Sequence, residues 1–351
     1  MDYPNNIDDI TLEADNHQRS RRGVQDVEAA MPLFDSERWR MMGLPGDDVA
    51  IMRKNLESFG GASTADCIDG VCPLCSSAHP SLVLSEACRS LRHCKACNVW
   101  WLEPIPTAAE LAQYFKMTGP AEGSAAAAKF EVNRHVVLKL VATRLKEIVS
   151  GGRILDIGCA VGYFLSTCFL GDKRWEAYGV EVAPQCAERA SARGIRMRVG
   201  TLTSAGYPDC YFDAVTTLDT FYYFTDPLRE IKEIQRILKP GGILAIEAPL
   251  ANPRLWRTTT RIGRALTRTS RPRLQTDHIF FYTPKALARI VRAFDFDVTA
   301  VVPLPANVNT GLVSAIYRTY STAALLLWKA TFGHMLLAPR FLLLAQRRKA
   351  E

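Results

Sequence analysis

The 351-residue sequence lacks the features that define membrane-spanning and exported proteins. It has no run of about 18 apolar residues, so no ordinary membrane span is expected. The nearest approach, residues 323–344, is interrupted by Lys329, His334 and Arg340. The N-terminal stretch is polar and charged, without the apolar centre of a signal peptide. We therefore predict a cytoplasmic protein, with peripheral contact at the inner face of a membrane as a further hypothesis.

The charge balance of the chain excludes few classes of function. The chain has 43 lysines and arginines against 36 acidic residues, a net charge of +7. This excess suggests anionic partners but does not require nucleic acid. We find no RNA-binding module, and aromatic residues are not interleaved with the basic segments, so no specific nucleic-acid partner is expected.

Six of the ten cysteines fall between Cys67 and Cys97. Two C-x2-C pairs separated by 18 residues are typical of a structural zinc ribbon, because four thiolates close the tetrahedral shell. The predicted zinc ligands are Cys72, Cys75, Cys94 and Cys97. Less regularly spaced candidates are interpreted as free thiols and surface imidazoles: Cys67, His79, Cys88 and His93. Disulfides are the disfavoured alternative in a reducing compartment.

The chain divides into four predicted regions. Residues 1–65 are predicted to be disordered or weakly ordered, and residues 66–106 form the zinc-ribbon segment. From residue 107 to 320, helical and strand patterns indicate an α/β domain with a doubly wound, mostly parallel sheet. Its last strands, 294–304 and 312–320, are predicted to form an antiparallel pair that closes the sheet. An apolar and basic C-terminal helix is predicted for residues 321–351.

The stretch RILDIGCAVGYF, residues 153–164, ends a strand in a glycine turn. It lacks the Lys-Ser/Thr of a phosphate-binding Walker loop and the G-x-G-x-x-G spacing of dinucleotide sites. Asp156 before the turn can attract an ammonium group, and Glu181, at the end of the next strand, can accept both hydroxyls of a ribose. These groups suit S-adenosylmethionine. The alternative is a glycine turn used only for packing.

Residues 107–320 resemble the class I S-adenosylmethionine-dependent methyltransferases. RILDIGCAVGYFL is similar to their first motif, GVEVAP to the acidic motif of the second strand, and residues 212–249 to the fourth and fifth strands. CPLC…CKAC and the following segment resemble a zinc-binding segment that precedes many bacterial methyltransferases. The resemblance implies a seven-stranded Rossmann-like sheet, enzymatic methyl transfer and cofactor contacts at seven positions: Asp156, Gly158, Ala160, Gly162, Glu181, Leu202 and Asp219.

The resemblance implies that Asp156 and Asp219 lie at the methionine end of the cofactor, that Glu181 holds the ribose, and that Leu202 flanks the adenine. One departure concerns catalysis, because Tyr222 and Tyr223 replace the Glu-His pair that relatives often carry after the fourth strand. The base then lies elsewhere, the substrate differs, or activity has been lost.

Three residues are candidates for the catalytic role. We predict His278 as a base, because its intrinsic pKa is near neutral. Tyr222 and Tyr223 are predicted as pocket walls or bases, although a phenol is a poor base unless its pKa is shifted. The alternative for His278 is a hydrogen-bonded structural residue.

The segment 250–276 follows the fifth strand and is strongly basic. Between residues 251 and 276 it contains seven arginines and no acidic residue. Arg254, Arg257 and Arg261 are predicted to bind an anionic acceptor, the alternative being a solvated basic face. We expect O-methylation of a small, sugar or lipid-linked anionic acceptor, with peripheral membrane contact through 254–268 or 321–349. A non-catalytic binding module or scaffold and an RNA methyltransferase remain the alternatives.

Overall fold

The computed structural model describes residues 70–86, 89–118, 125–251, 255, 260, 262, 274, 278–305, 319–320, 322–324, 326–327, 330 and 338–349. The prediction for residues 1–65 lies outside this part of the chain, as does most of the basic segment 250–276.

The described residues form eleven strands in two sheets. The strands are β1 (Ser81–Glu86), β2 (Arg89–Cys94), β3 (Val99–Glu103), β4 (Gly152–Ile157), β5 (Trp175–Glu181), β6 (Arg196–Val199), β7 (Phe212–Leu218), β8 (Leu238–Pro249), β9 (Phe280–Phe281), β10 (Phe296–Leu304) and β11 (Arg340–Arg347). The larger sheet has seven strands in the order β10-β11-β8-β7-β4-β5-β6. Strands β6, β5, β4, β7 and β8 are parallel, while β11 pairs antiparallel with β8 and β10. The predicted doubly wound, mostly parallel seven-stranded sheet is confirmed.

Helices precede, connect and follow the parallel strands. They are α1 (Ala108–Thr118), α2 (Ala125–Ile148), α3 (Tyr163–Cys168), α4 (Pro184–Ala192), α5 (Leu202–Ala205), α6 (Pro227–Ile237) and α7 (Pro284–Arg292). Helix α6 shows how the local sequence starts a helix. The Asp226 side chain caps its N-terminus by accepting a hydrogen bond from the Arg229 amide at 3.1 Å, and Pro227 is the first helical residue. No helix within the described ranges combines the length and apolar character needed to cross a membrane.

The smaller sheet joins the zinc-ribbon segment to the main domain. Its order is β1-β2-β3-β9, and β9 lies about 180 residues beyond β3 in the chain. The Leu102 amide also donates to the Ile279 carbonyl at 2.9 Å. Cys72, Cys94 and Trp101 belong to the same hydrophobic core as the residues that flank β7 and β8. The cysteine segment is therefore part of the main core and does not form a separate lobe.

The C-terminal region differs from the prediction. The structure pairs β10 antiparallel with β11, and Thr319 and Tyr320 at the end of the predicted strand 312–320 are helical, while residues 312–318 lie outside the described residues. Strand β11 falls within the range predicted as a C-terminal helix, so that prediction is wrong for Arg340–Arg347. Residues Phe341–Ala345 are buried between β10 and β8. A continuous apolar run of this length cannot be assigned to strand or helix by periodicity.

Candidate functional site

A cavity of about 250 Å³ lies at the carboxyl ends of β4, β5 and β7. This is the edge at which doubly wound sheets bind ligands. Apolar side chains of α1, including Leu111 and Phe115, form part of the wall. The residues that follow β7 close another side, among them Tyr223 and Phe224. The cavity therefore lies between the edge of the sheet on one side and helical and loop segments on the other.

The glycine turn forms the floor of the cavity. Gly158 has φ 70° and Ala160 has φ 49°, and both line the cavity. A Cβ atom on Gly158 would lie 2.4 Å from Cγ2 of Thr220, so the close approach of these two segments requires glycine. Gly162 is not among the lining residues. A Cβ there would lie 2.2 Å from Cδ1 of Ile195, so Gly162 serves the packing of the first turn of α3.

Two predicted carboxylates reach the cavity from neighbouring strand ends. Burial raises the pKa of Asp156 to about 7, opposed by a 2.6 Å hydrogen bond from the Thr216 hydroxyl. Burial also raises the pKa of Glu181, whose two oxygens accept hydrogen bonds from the amides of Ala183 and Ala160, each at 2.9 Å. A carboxylate has about four acceptor positions. Glu181 is thus held rigidly while both oxygens can still accept from a ligand.

The remaining predicted cofactor residues also line the cavity. Leu202 is buried and begins α5, whose N-terminus is capped by the Thr201 hydroxyl, which accepts from the Ser204 amide at 3.2 Å. Asp219 follows β7 with φ 62°, a left-handed conformation that is unusual for a residue other than glycine. The structure therefore brings together six of the seven predicted cofactor residues, all except Gly162.

A group of four charged side chains, each at most 12% exposed, lies at the Asp219 side of the cavity. Arg134 of α2 makes a bidentate pair with Glu247 of β8, with hydrogen bonds of 3.2 and 2.8 Å. Arg340 of β11 donates to Glu247, and also to Asp219 at 2.5 Å. Arg134 Nη1 lies 3.6 Å from Asp219 Oδ2. The positive and negative charges balance, as burial of ions requires.

Sequence reasoning missed Arg134, Glu247 and Arg340. A signal was present in α2, because Arg134 shares the helix face of the fully buried Val137 and Val141. A second signal was the lone carboxylate of Glu247 in the apolar strand GILAIEAP. A charge at a position that the pattern assigns to the core indicates a buried ion pair or a functional site.

The three predicted catalytic residues are brought together, but only Tyr223 lines the cavity. Tyr222 is buried, and its hydroxyl donates to Asp219. His278 is also buried, and its ring stacks on Tyr222 with 3.8 Å between centroids. Tyr222 and His278 therefore lie behind the described wall of the cavity. The catalytic role of all three stays a prediction.

Glu230 is an acidic residue of the cavity wall that the sequence analysis did not select. It lies in the first turn of α6, where a carboxylate ordinarily complements the helix dipole. Its Oε2 atom is buried and has no hydrogen-bond partner among the residues that the structure describes. Burial raises its pKa to about 7. A carboxyl group in this state can exchange a proton near neutral pH.

The four predicted metal ligands also come together. Their Sγ atoms all lie within 4.8 Å of one another. Cys72 and Cys97 are separated by 3.7 Å between Sγ atoms, and Cys75 and Cys94 by 3.6 Å. A tetrahedron with Zn–S bonds of about 2.3 Å has edges of about 3.8 Å. The donor set therefore fits a Zn²⁺ ion with a closed shell.

The structure gives less information on the other candidate metal ligands and on the predicted acceptor site. His93 stacks on Trp100 and forms a 3.0 Å hydrogen bond with Asn98. His79 is not part of the four-cysteine group. Several candidates lie outside the described residues, namely Cys67, Cys88, Arg254, Arg257 and Arg261.

Comparison with known families decides the class of the domain. Residues 128–301 match the family described as "Methyltransferase domain". This range contains the glycine turn, both strand-end carboxylates and most of the residues that line the cavity. The chain carries a class I S-adenosylmethionine-dependent methyltransferase domain.

Three curated relatives match this chain over about 100 residues each. The uncharacterized methyltransferase YdaC of Bacillus subtilis is 29% identical, with 28% of this chain and 57% of the relative covered. The 2-methyl-6-phytyl-1,4-hydroquinone methyltransferase of Synechocystis is 28% identical, with 29% and 33% covered. The tRNA U34 carboxymethyltransferase of Hydrogenovibrio crunogenus is 32% identical, with 28% and 32% covered. The chain spans little more than half of the first relative and a third of the other two.

Among solved structures, a methyltransferase from Thermotoga maritima is similar with a TM-score of 0.46 and 19% identity. The match covers 68% of this chain and all of the Thermotoga chain.

Proposed function

We propose that this protein transfers a methyl group from S-adenosylmethionine to an oxygen of a small, sugar or lipid-linked anionic acceptor. The single observation that supports the cofactor is that Asp156 and Glu181 line one cavity, next to a turn in which Gly158 presents no side chain. Glu181 would accept hydrogen bonds from the ribose hydroxyls. Asp156 would attract the ammonium group of the methionine part.

The acceptor side is supported by the composition of the cavity wall and of the segment that follows β8. Leu111, Phe115 and Tyr223 offer apolar surface to the body of an acceptor. The arginine-rich segment begins directly after β8, at the same edge of the sheet as the cavity. In this proposal Arg254, Arg257 and Arg261 bind the anionic group, since guanidinium pairs strongly with phosphate and carboxylate.

Bound S-adenosylmethionine supplies an electrophilic methyl carbon on a sulfonium. The chain's work is to align the acceptor and to accept its proton, because methyl transfer depends mainly on orientation. The cofactor, held by Asp156 and Glu181, would give its methyl group to the acceptor oxygen and leave as the neutral thioether, and a base of the chain would accept the acceptor's proton. Glu230 is favoured as this base over His278, because Glu230 lines the cavity. Tyr223 would form part of the acceptor wall.

We also propose a structural Zn²⁺ ion held by the four cysteines. Purified protein should contain one zinc per chain, released by a thiol-modifying reagent. Cys94→Ser should lower the zinc content and reduce stability, because the four thiolates would hold together two stretches of chain 19 to 25 residues apart. Normal zinc content and stability in this variant would contradict the proposed ligand set.

The function is tested by incubating zinc-loaded protein with radiolabelled methyl donor and fractionated lipid, glycan and RNA pools. Label in an anionic lipid or glycan fraction supports the proposal. Label in RNA, the acceptor named for one relative, would favour an RNA methyltransferase instead. S-adenosylhomocysteine binding without label transfer to any pool would favour a non-catalytic module, the alternative suggested by the departure at Tyr222 and Tyr223.

Once an acceptor is found, Glu230→Gln tests the base. The variant should lose most of its kcat and also the rise in kcat with pH near 7, while its affinity for S-adenosylhomocysteine stays unchanged. His278→Gln is the comparison. A larger kcat loss in His278→Gln, with Glu230→Gln unaffected, would assign the base to His278.

A further inference from the structure

Tyr222 is buried behind the cavity wall, although its neighbour Tyr223 lines the cavity. The exposed fraction of Tyr222 is 1%. Its hydroxyl donates to the carboxylate of Asp219, which also lines the cavity. Its ring stacks on the imidazole of His278, with 3.8 Å between the ring centroids and 19° between the planes. The position of Tyr222 therefore affects the cavity through Asp219 and Tyr223.

The backbone of Tyr222 is tied to the zinc-ribbon segment. The Tyr222 carbonyl accepts a hydrogen bond from the Ile279 amide at 3.1 Å. The Ile279 carbonyl in turn accepts from the Leu102 amide of β3 at 2.9 Å. Ile279 thus bridges β3 and the residues that follow β7. Two backbone hydrogen bonds in series join a strand of the cysteine segment to Tyr222.

Close packing makes this connection stiff. Strand β9 pairs with β3 at two positions, Trp100 with Phe281 and Trp101 with Phe280. Trp101 and Phe280 are at most 1% exposed. Both belong to the same hydrophobic core as Tyr222 and three of the four predicted zinc ligands. Because a close-packed interior transmits strain, a shift of β3 would move Tyr222.

A metal ion at the four cysteines would hold β3 in place. Cys94 ends β2, and β3 begins two residues after Cys97. Their sulfur neighbours are Cys75 and Cys72, from the first cysteine pair. A Zn²⁺ ion would tie the two stretches together, and its binding free energy would contribute to folding the segment. Loss of the ion would therefore loosen β3.

We propose that Tyr222 is a positioning residue that couples zinc binding at the four cysteines to cofactor binding in the cavity. Zinc holds β3, β3 holds Ile279 and Tyr222, and the Tyr222 hydroxyl orients the carboxylate of Asp219. Arg340 contacts the same carboxylate at 2.5 Å, so its charge stays paired without the hydroxyl. Coupling between two sites is reciprocal, so the cofactor should tighten zinc binding by the same factor. The inference rests on the proposed cofactor and zinc site and does not depend on the acceptor.

Calorimetric titration of S-adenosylhomocysteine into zinc-loaded and zinc-free protein measures the coupling. The zinc-loaded wild type should bind the ligand about 5-fold to 150-fold more tightly, the usual range for coupled sites. Tyr222→Phe keeps the stacked ring but removes the hydroxyl that donates to Asp219, so most of this ratio should disappear. Tyr163→Phe is the matched control, because Tyr163 also lines the cavity and its hydroxyl hydrogen-bonds to His135 of α2. The control should keep the wild-type ratio.

A second measurement starts from zinc-loaded protein, so it does not require the zinc-free chain to stay folded. A chelator of known affinity competes for the zinc with and without saturating S-adenosylhomocysteine. The ligand should raise the zinc affinity of the wild type and of Tyr163→Phe by about 5-fold to 150-fold, and that of Tyr222→Phe by much less. An equal factor in all three proteins would mean that the ligand stabilises the whole fold, and would overturn the role of Tyr222.

The outcomes separate this inference from the proposals on which it rests. Zinc-loaded wild type that does not bind S-adenosylhomocysteine would refute the cofactor, and a chain that binds no zinc would refute the metal site. Equal ligand affinity with and without zinc would refute the coupling alone. Should Tyr222→Phe fail to fold, His278→Gln interrupts the same path by removing the ring stacked on Tyr222. An unchanged ratio in that variant would overturn the proposal.

Discussion

Replacing Asp156 by asparagine should stabilise the ligand-free protein while weakening cofactor binding. The side chain is 4% exposed and sits at the cavity edge of β4. Asparagine has nearly the same shape, and its carbonyl oxygen can still accept from the Thr216 hydroxyl, which donates at 2.6 Å in the wild type. The substitution therefore removes an ionisable group with little change in packing.

The size of the effect follows from proton linkage. Burial raises the pKa of Asp156 from 3.8 to about 7. Between these values the native state holds a proton that the unfolded state has lost, so the stability of the wild type falls as pH rises and levels off above 7. A shift of about three units corresponds to about 4 kcal/mol above pH 7. At pH 5 the same arithmetic gives about 2 kcal/mol.

Urea unfolding of zinc-loaded, ligand-free protein at pH 5 and pH 8 measures this difference. Asp156→Asn should exceed the wild type in free energy of unfolding by about 4 kcal/mol at pH 8 and about 2 kcal/mol at pH 5. Asp297→Asn, at an aspartate that is 63% exposed, should differ from the wild type by less than about 0.5 kcal/mol at both pH values. A gap for Asp156→Asn that does not change with pH would refute the linkage reasoning. Weaker S-adenosylhomocysteine binding in this more stable variant would mark Asp156 as a functional carboxylate.

Three further substitutions test the site and the ribbon. Gly158→Ala should destabilise the protein by about 1–3 kcal/mol and weaken S-adenosylhomocysteine binding, because the new methyl group overlaps Thr220. Adding Thr220→Ala should recover part of the lost stability, as measured by urea unfolding. Glu181→Gln should weaken S-adenosylhomocysteine and 5′-methylthioadenosine by similar factors of about tenfold or more, because both carry the ribose; a loss for only one would contradict the ribose assignment. Arg289 donates to the carbonyl of Ala96, which lies between Cys94 and Cys97, at 2.6 Å. Arg289→Gln should therefore speed zinc release to a chelator, whereas Arg292→Gln, on the same helix, should not.

The sequence was informative wherever a short stretch carries its own chemistry. The strand–turn–helix at Gly158 requires small residues and positive φ, which only a narrow set of residues tolerates. Alternating strand and helix patterns predicted the parallel sheet, because each element must bury one face against its neighbours. The cysteine spacing predicted the four-sulfur cluster, since two residues between ligands allow both thiolates to reach one ion.

The tertiary structure decided which distant residues meet. Arg134 and Glu247 lie 113 positions apart, and no local pattern links a charge on a helix to a charge on a remote strand. The position of β11 between β10 and β8 could not be predicted either. Burial on both faces removes the alternation of apolar and polar residues that identifies a strand. His278 and Gly162 were predicted near the ligand, yet one stacks behind the wall and the other packs beneath it. The sequence thus determined the type of sheet, the tight glycine turn and the cysteine cluster, whereas the pairing of distant residues depended on closing the chain into one core.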